Sequence, residues 1–138
     1  MGGQQDLEAL FAGMSPVLNP GTYGFATVTT MEEAAALTPV MIMHEAEAIT
    51  VILPWNAAEE AGLTPEFHCC WITLNIHSAL DAVGFLAAIS TRLAGLGMGM
   101  GVNPVAGFYH DHLFVPADRA EDAMQELARI VAESQTAR

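Results

Sequence analysis

The sequence contains no lysine, and its four arginines face sixteen aspartates and glutamates, which gives a formal net charge of −12 at pH 7. A surface that binds nucleic acid must neutralise phosphates with cations, and attraction to an anionic membrane surface needs the same cations. Four scattered arginines cannot form such a surface, so we expect neither nucleic acid nor a membrane as a partner. Chemistry that depends on a lysine, as in Schiff bases and phosphate-binding loops, is excluded.

Cysteines and long apolar runs are also scarce. Cys69 and Cys70 are adjacent, a spacing that fits neither a CxxC redox motif nor a zinc knuckle, so we expect two reduced core residues. The longest uncharged stretch, 93–110, is interrupted by glycines and by Pro104, which makes it a poor membrane span. Residues 1–10 show no basic region followed by an apolar run, so we expect no signal peptide and a cytoplasmic protein.

The chain nevertheless has ample material for a core, because 52% of its 138 residues are hydrophobic. The stretch 72–115 predicts a strand, a helix and two more strands. Apolar and polar residues alternate over 72–77, as in a half-buried strand. Ser78 occupies an N-cap position with Asp81 three residues later, which predicts a helix that ends near Gly95. Strands are predicted at 98–103, where Pro104 ends the strand, and at 108–115.

The rest of the chain has a similar element order. A last helix is predicted from a capping box of Asp118 and Glu121, with an apolar stripe from Ala120 to Val131 and with Glu126 facing water. Earlier elements are a short helix at 6–14, a strand at 23–29, a helix at 31–37, strands at 40–45 and 48–53, a helix with Asn56 as its N-cap, and a strand that begins at Phe67. No sequence repeat relates the two halves.

Residues 77–103, HSALDAVGFLAAISTRLAGLGMGMGVN, resemble the core of an ACT domain, a small ligand-sensing module of amino-acid metabolism. Gly84 and 86–102 match the family's helix-opening glycine and the helix and strand that follow. The segments LNPGTYGF, HEAEAITVILP and YHDHLFVP resemble a group of small, largely uncharacterised ACT-like proteins with two units in tandem. The resemblance covers 7–130. It departs at Gly24, where a larger apolar residue is expected, and at Ala48, where a glycine is expected.

The resemblance implies an α+β fold of two tandem ferredoxin-like, ACT-like units of βαββαβ type, with antiparallel sheets and helices packed on one face. The units are expected at 1–66, with a leading helix, and at 67–138. It further implies a non-catalytic regulatory or sensor module without a cofactor. Such a module is expected to bind a small ligand, namely an amino acid, at an interface between units or subunits, and to form a homodimer.

The predicted ligand site surrounds the strand-to-helix loop, where a helix N-terminus offers free N–H groups to a carboxylate. Its residues are Asn75, His77, Ser78, Asp81, Ala82, Val83 and Gly84, with Asn103 and His110 as a second wall. The alternative interpretation is that Ser78 and Asp81 only cap the helix, that Gly84 only packs, and that Asn103 with Pro104 is an ordinary turn.

Two other functions stay open. On a strand, His110 and His112 would point to the same side, and with His77 they could serve a small metal-dependent enzyme. The flanking phenylalanines favour instead partly buried, hydrogen-bonded histidines. The third hypothesis is a structural dimerisation module without a ligand. No GxSxG motif supports nucleophilic catalysis, so we do not predict an enzyme.

Overall fold

The computed structural model describes residues 6–80, 82–96 and 101–136. Its elements, in chain order, are α1 (Leu7–Gly13), β1 (Val17–Leu18), β2 (Tyr23–Val28), α2 (Met31–Ala36), β3 (Met41–His44), β4 (Ile49–Pro54), α3 (Trp55–Glu60), β5 (Glu66–Thr73), α4 (Phe85–Ala94), β6 (Asn103–Ala106), β7 (Asp111–Pro116) and α5 (Ala120–Thr136), with a 3-10 turn at Ala117–Arg119 before α5. None of the helices in these ranges is both long and apolar enough to cross a membrane.

Two compact units divide the chain. The continuous unit comprises Pro20–Cys69, and the split unit comprises Met1–Asn19 together with Cys70–Arg138. The leading helix α1 therefore lies in the split unit, whereas it was expected in an N-terminal unit. The boundary between residues 66 and 67 stays a prediction.

The continuous unit has the order β2, α2, β3, β4, α3 and the first half of β5, which is the predicted βαββαβ pattern. Its strands lie in the order β3-β4-β2-β5, and all the pairs are antiparallel. One sheet face and the two helices share a small core. It is formed by Ala26, Val28, Ala34, Ile49, Val51, Leu53 and Ala58.

Helix α2 begins at a complete capping box. The Thr30 hydroxyl accepts a hydrogen bond from the Glu33 N–H at 3.1 Å, and the Glu33 carboxylate accepts one from the Thr30 N–H at 3.1 Å. Hydrogen bonds from Thr29 and Thr30 hold the pKa of Glu33 below its usual value. The first turn of α2 is thus closed by the chain's own side chains.

The split unit places the second half of β5 beside β7, with β6 beyond β7 at the sheet edge. The short strand β1 pairs antiparallel with β5, with Val17 opposite Thr73 and Leu18 opposite Ile72. Helices α1, α4 and α5 share a core with one face of these strands. Its largest fully buried members are Leu10, Ile72, Leu74, Ile89, Leu93, Leu113, Val115 and Leu127. The predicted α+β class of antiparallel, ferredoxin-like units is confirmed.

The opening of α4 differs from the prediction. Strand β5 ends at Thr73 rather than at His77, and α4 begins at Phe85, with Gly84 and not Ser78 as its N-cap. Gly84 has a φ of 87°, a left-handed conformation that favours glycine. Asp81, the predicted partner of Ser78 in a capping box, lies outside the described residues.

Two strands also differ from the prediction. Pro104 lies inside β6, opposite Leu113, instead of ending a strand. Since β6 is an edge strand, its sheet tolerates a residue without an N–H group. Strand β7 begins at Asp111 rather than at Phe108, because a turn that is closed by the Gly107 N–H and the His110 carbonyl at 2.9 Å precedes it. The predicted strand at 98–103 falls partly on residues 98–100, which lie outside the described residues.

Three predictions about helix surfaces and ends are wrong. Glu126 is buried, because it forms ion pairs with Arg92 at 2.8 Å and Arg129 at 2.6 Å. Asp118 lies within the 3-10 turn and not at the N-cap of α5. Helix α3 begins at Trp55, directly after Pro54, so Asn56 is inside the helix rather than its N-cap.

Both departures from the ACT pattern have a local explanation. A Cβ atom at Gly24 would lie 2.7 Å from the ring of Trp55, so Trp55 fills the space of the larger residue expected there. Ala48 closes the β3–β4 turn by accepting the Glu45 N–H at 3.1 Å. It is not among the described residues with a positive φ, so the turn does not need a glycine.

Candidate functional site

The connection between β5 and α4 folds inward through a series of tight turns. Asn75 has a φ of 47°, a left-handed conformation that asparagine tolerates better than most residues. The Ser78 N–H then donates to the Ile76 carbonyl at 3.0 Å, and the Ala82 N–H donates to the Ala79 carbonyl at 2.9 Å. As a result Ser78 is buried, although it belongs to a loop.

Ser78 contacts a buried carboxylate. Its hydroxyl donates to Oδ2 of Asp111 at 3.0 Å, and the side chains of both residues are buried. Asp111 is the first residue of β7, and its backbone carbonyl accepts the Leu74 N–H at 3.0 Å. A carboxylate has about four acceptor positions, of which the Ser78 hydroxyl uses one.

The first turn of α4 is not capped by a side chain. Gly84 has none to offer, and the first helical hydrogen bond runs from the Ala88 N–H to the Gly84 carbonyl at 2.9 Å. The N–H groups at the start of a helix have no partner within the helix, and they carry partial positive charge. This end of α4 therefore favours an anion.

Both features line one cavity of about 140 Å³. The lining consists of Ser78, Ala79, Leu80, Ala82, Gly84, Phe85, Leu86, Ala87, Ala106 and Asp111. A positive helix end and a buried carboxylate in the same cavity are complementary to a small molecule that carries both charges.

Of the predicted site residues, the cavity brings together Ser78, Ala82 and Gly84. Val83 points away, with 85% of its surface exposed. Asn103 is exposed on the edge strand β6. Neither of these two, nor Asn75, His77 or His110, lines the cavity.

Asp111 lines the cavity but was not among the predicted site residues. The available signal is an acidic residue at the start of β7, two positions before its apolar run 113–115, because a carboxylate that is buried with such a strand needs a polar partner.

His77 lies against the tip of the β6–β7 turn. Its ring centroid is 6.2 Å from that of Phe108 and 5.6 Å from that of Tyr109. Phe108 and Tyr109 are about two-thirds exposed, as is Leu80 at the cavity. The split unit therefore exposes three large side chains, Leu80 at the cavity and Phe108 and Tyr109 at the β6–β7 turn.

His112 is held by neighbours as a neutral ring. Its Nδ1 atom accepts a hydrogen bond from Trp71 Nε1 at 3.0 Å. The same Nδ1 atom lies 3.0 Å from the hydroxyl oxygen of Thr73. Burial, with a smaller contribution from the charge of His110, lowers the pKa of His112 below its usual value. His110 lies before β7 and not on it, and its Nδ1 is buried without a hydrogen-bond partner in the part of the chain that the structure describes.

The three histidines do not form a metal site. Within 6–80, 82–96 and 101–136, no group of three His, Cys, Asp or Glu side chains is arranged to hold a metal ion. His77 packs on aromatic rings and His112 accepts hydrogen bonds at Nδ1, so both histidines are engaged in other contacts.

Family models for the ACT domain match the chain over residues 2–70 and over residues 66–129. No curated protein matches it. A Vibrio cholerae protein of unknown function, described as a possible transport protein, is 39% identical, with a TM-score of 0.81 over 91% of this chain and 95% of that chain.

Two more distant structures share the fold. A protein from Agrobacterium tumefaciens is 20% identical, with a TM-score of 0.67 over 86% of this chain and 89% of its own. The ligand-free regulatory subunit of aspartate kinase from Thermus thermophilus is 11% identical, with a TM-score of 0.60 over 86% of this chain and 99% of its own.

Proposed function

The chain belongs to the ACT-domain family, with two family units in tandem, and on that premise we propose that it is a non-catalytic sensor of a small amino acid. The site is the cavity of the split unit, at the start of α4. A regulatory subunit of aspartate kinase with the same fold supports a regulatory role.

One observation carries the proposal: the uncapped first turn of α4 and the buried Asp111 line the same cavity. The N–H groups of Phe85, Leu86 and Ala87 would bind the α-carboxylate of the ligand. The Asp111 carboxylate, positioned by the Ser78 hydroxyl, would bind its α-ammonium group. An amino acid therefore makes two charged contacts where a simple carboxylic acid makes one.

The size of the cavity limits the ligand. At about 140 Å³, it is smaller than the roughly 300–1,000 Å³ of a typical drug-sized site. We infer a ligand with a small side chain, which would extend toward the exposed Leu80.

The response would be a shift between conformations of the 74–84 loop. The ligand would favour the arrangement in which Ser78 reaches Asp111, since only that arrangement completes the site. We propose that the exposed side chains of Leu80, Phe108 and Tyr109 then contribute to a homodimer. The ligand was predicted at an interface between units or between subunits, and this proposal retains only the interface between subunits.

The proposal is tested by titrating the protein with the amino acids and with the deaminated analogue of each one that binds. An amino acid at about 100 times its Kd should stabilise the protein by roughly 2.7 kcal/mol. Its deaminated analogue should bind at least about tenfold more weakly, which corresponds to about 1.4 kcal/mol. Sedimentation with and without the ligand reports whether the dimer responds.

Asp111→Asn is the decisive variant, because it removes the charge and retains the size of the side chain. It should abolish the preference for the amino acid over its analogue. The matched control is Asp118→Asn, an exposed aspartate of the same unit, which should retain the preference. If Asp111→Asn still discriminated, or if no amino acid bound, the proposed site would be wrong.

A further inference from the structure

The sheet face of the continuous unit that lies opposite α2 and α3 carries a second cavity, of about 460 Å³. Its lining consists of Phe25, Ala26, Thr27, Met41, Met43, Glu45, Thr50, Thr64 and Glu66. None of these residues takes part in the proposed amino-acid site. The size lies within the usual range for small-molecule sites, roughly 300–1,000 Å³.

A β-bulge places Glu66 in this cavity. Tyr23 pairs with Cys69, but Phe25 pairs with Glu66, so β5 has one extra residue between these two pairs. Regular pairing would have set Phe67 opposite Phe25 and turned Glu66 to the other face, since successive side chains alternate. Phe67 has a φ of 61° at the bulge, a conformation that is uncommon for a residue other than glycine.

Glu45 approaches the cavity from the opposite corner. Glu45 comes directly after β3 and continues the alternation of Met41 and Met43, and it accepts a hydrogen bond from the Thr50 hydroxyl. Met41, Ile52, Phe25 and Glu66 form one row across the sheet. The Cα atoms of Glu45 and Glu66 are therefore separated by three strand spacings across the sheet, which is about 14 Å, and by four residues along the strand direction, which is about 13 Å.

The floor between the two carboxylates is apolar. Met41 and Met43 contribute thioethers, which adapt to irregular apolar ligands. Phe25 lies edge-on to Phe67, with ring centroids 6.0 Å apart. The hydroxyl of Thr27 adds a hydrogen-bond acceptor within the floor.

Among the residues that the structure describes, those that line this cavity include no cation. The arginines that the structure describes, Arg92, Arg119 and Arg129, form ion pairs with carboxylates of the split unit. The chain has no lysine and a net charge of −12. A second copy would therefore bring further negative charge to the two glutamates, so charge complementarity calls for a cationic occupant.

We propose that this cavity binds a linear polyamine, that is, a flexible alkyl chain with an ammonium group at each end. The end groups pair with Glu45 and Glu66, and the methylene groups pack on the methionines and Phe25. An inner amine donates to a threonine hydroxyl. The proposal goes beyond the amino-acid sensor and does not depend on it, because it concerns other residues in another unit.

The experiment is calorimetric titration of the full chain with spermidine, and with butylamine as a ligand that has one ammonium group. We expect saturable binding of spermidine, with butylamine at least about tenfold weaker. Glu45→Gln and Glu66→Gln should each weaken spermidine binding by about two- to fivefold, the usual range for an exposed ion pair. The double variant should weaken it by about tenfold. Added salt should weaken the binding further.

The matched control is Glu59→Gln with Glu60→Gln. These two glutamates are exposed on α3 of the same unit, and the change in net charge is the same. Spermidine binding should be unchanged in this variant, and thermal unfolding should show that both double variants are folded. Equal weakening in both would mean non-specific attraction to an acidic protein. That result would overturn the proposal, and so would the absence of saturable spermidine binding or equal binding of butylamine.

Discussion

The two units join a strand to the following helix in opposite ways. In the continuous unit, Thr29 and Thr30 are the only residues between β2 and α2, and Thr30 closes the helix with a capping box. In the split unit, residues 74–84 lie between β5 and α4, and the cap is a glycine without a side chain. The same fold therefore yields one helix end that is closed and one that is available to a ligand.

Packing explains why α4 tolerates an open end. It buries Phe85, Ile89 and Leu93, whereas α2 buries only Ala34. A short helix depends on its packing and caps, because helices of this length are marginal on their own. Apolar contacts stabilise α4 without a cap, and the cap stabilises α2 with few apolar contacts.

The two units should differ most in the free energy of unfolding that is lost when the main stabilising contact of α4 or of α2 is removed. Leu93→Ala should lower the free energy of unfolding by about 2–5 kcal/mol, because it leaves a cavity in a fully buried position. Thr30→Ala should lower it by about 1 kcal/mol, the usual cost of a lost N-cap. Urea unfolding of both variants measures the two values. Equal losses would contradict the division between packing and capping.

A smaller effect is expected from two glycines with similar backbone conformations. Gly84 has a φ of 87° and Gly62 a φ of 78°, so Gly84→Ala and Gly62→Ala should each lower the free energy of unfolding by about 1–2 kcal/mol. An added Cβ would meet Leu7 at 3.5 Å at Gly84 and nothing within 4 Å at Gly62. Only Gly84→Ala should also weaken amino-acid binding, as measured by calorimetry. If Gly62→Ala weakened it equally, the effect would reflect global stability and not the site.

The smallest effect concerns pH. Because burial lowers the pKa of His112, the unfolded chain takes up its proton near pH 6.5 while the folded chain does so only at a lower pH. This contribution to stability is present above about pH 6.5 and is lost as the pH falls toward the folded pKa. His112→Asn replaces Nδ1 with an acceptor that does not titrate, so the variant should lose less stability between about pH 7 and pH 5.5.

Trp71, which donates to His112, reports on this region by fluorescence once Trp55→Phe has removed the other tryptophan. If His112→Asn and its parent lost equal free energy of unfolding between about pH 7 and pH 5.5, the acid sensitivity would belong to groups other than His112.

Much of the fold could be predicted from the sequence, because packing against a core requires apolar residues at regular spacing. The apolar stripe of α5 correctly predicted that Ala123, Leu127 and Ile130 are buried, since no other face of that helix could cover the sheet. Helix α1 and strands β2, β3 and β4 were also predicted within two residues of their observed bounds. The capping box of Thr30 and Glu33 was readable from its spacing but was overlooked.

The site was harder to predict, because its geometry depends on backbone conformations that leave no periodic signal. Alternation over 72–77 suggested a strand, yet Leu74 is buried beyond the end of β5, and Asn75 turns the chain. Ser78 looks like an N-cap in the sequence, but its hydroxyl donates to Asp111, thirty-three positions away. Likewise, Glu126 was predicted to face water, but it forms an ion pair with Arg92 of α4, which the spacing within α5 does not reveal.

The split unit has a consequence for how the protein is made. Its chain leaves at Asn19 and returns at Cys70, so Val17 must find Thr73, and the Gln135 side chain must reach the Ala12 carbonyl across 123 positions. Pairings so distant in sequence close large loops and form slowly. During synthesis, all of Pro20–Cys69 is made before the later residues that pack on α1 and pair with β1. The continuous unit can therefore fold while α1 and β1 still lack these contacts. The unit with the uncapped helix end is therefore the later of the two to complete its fold.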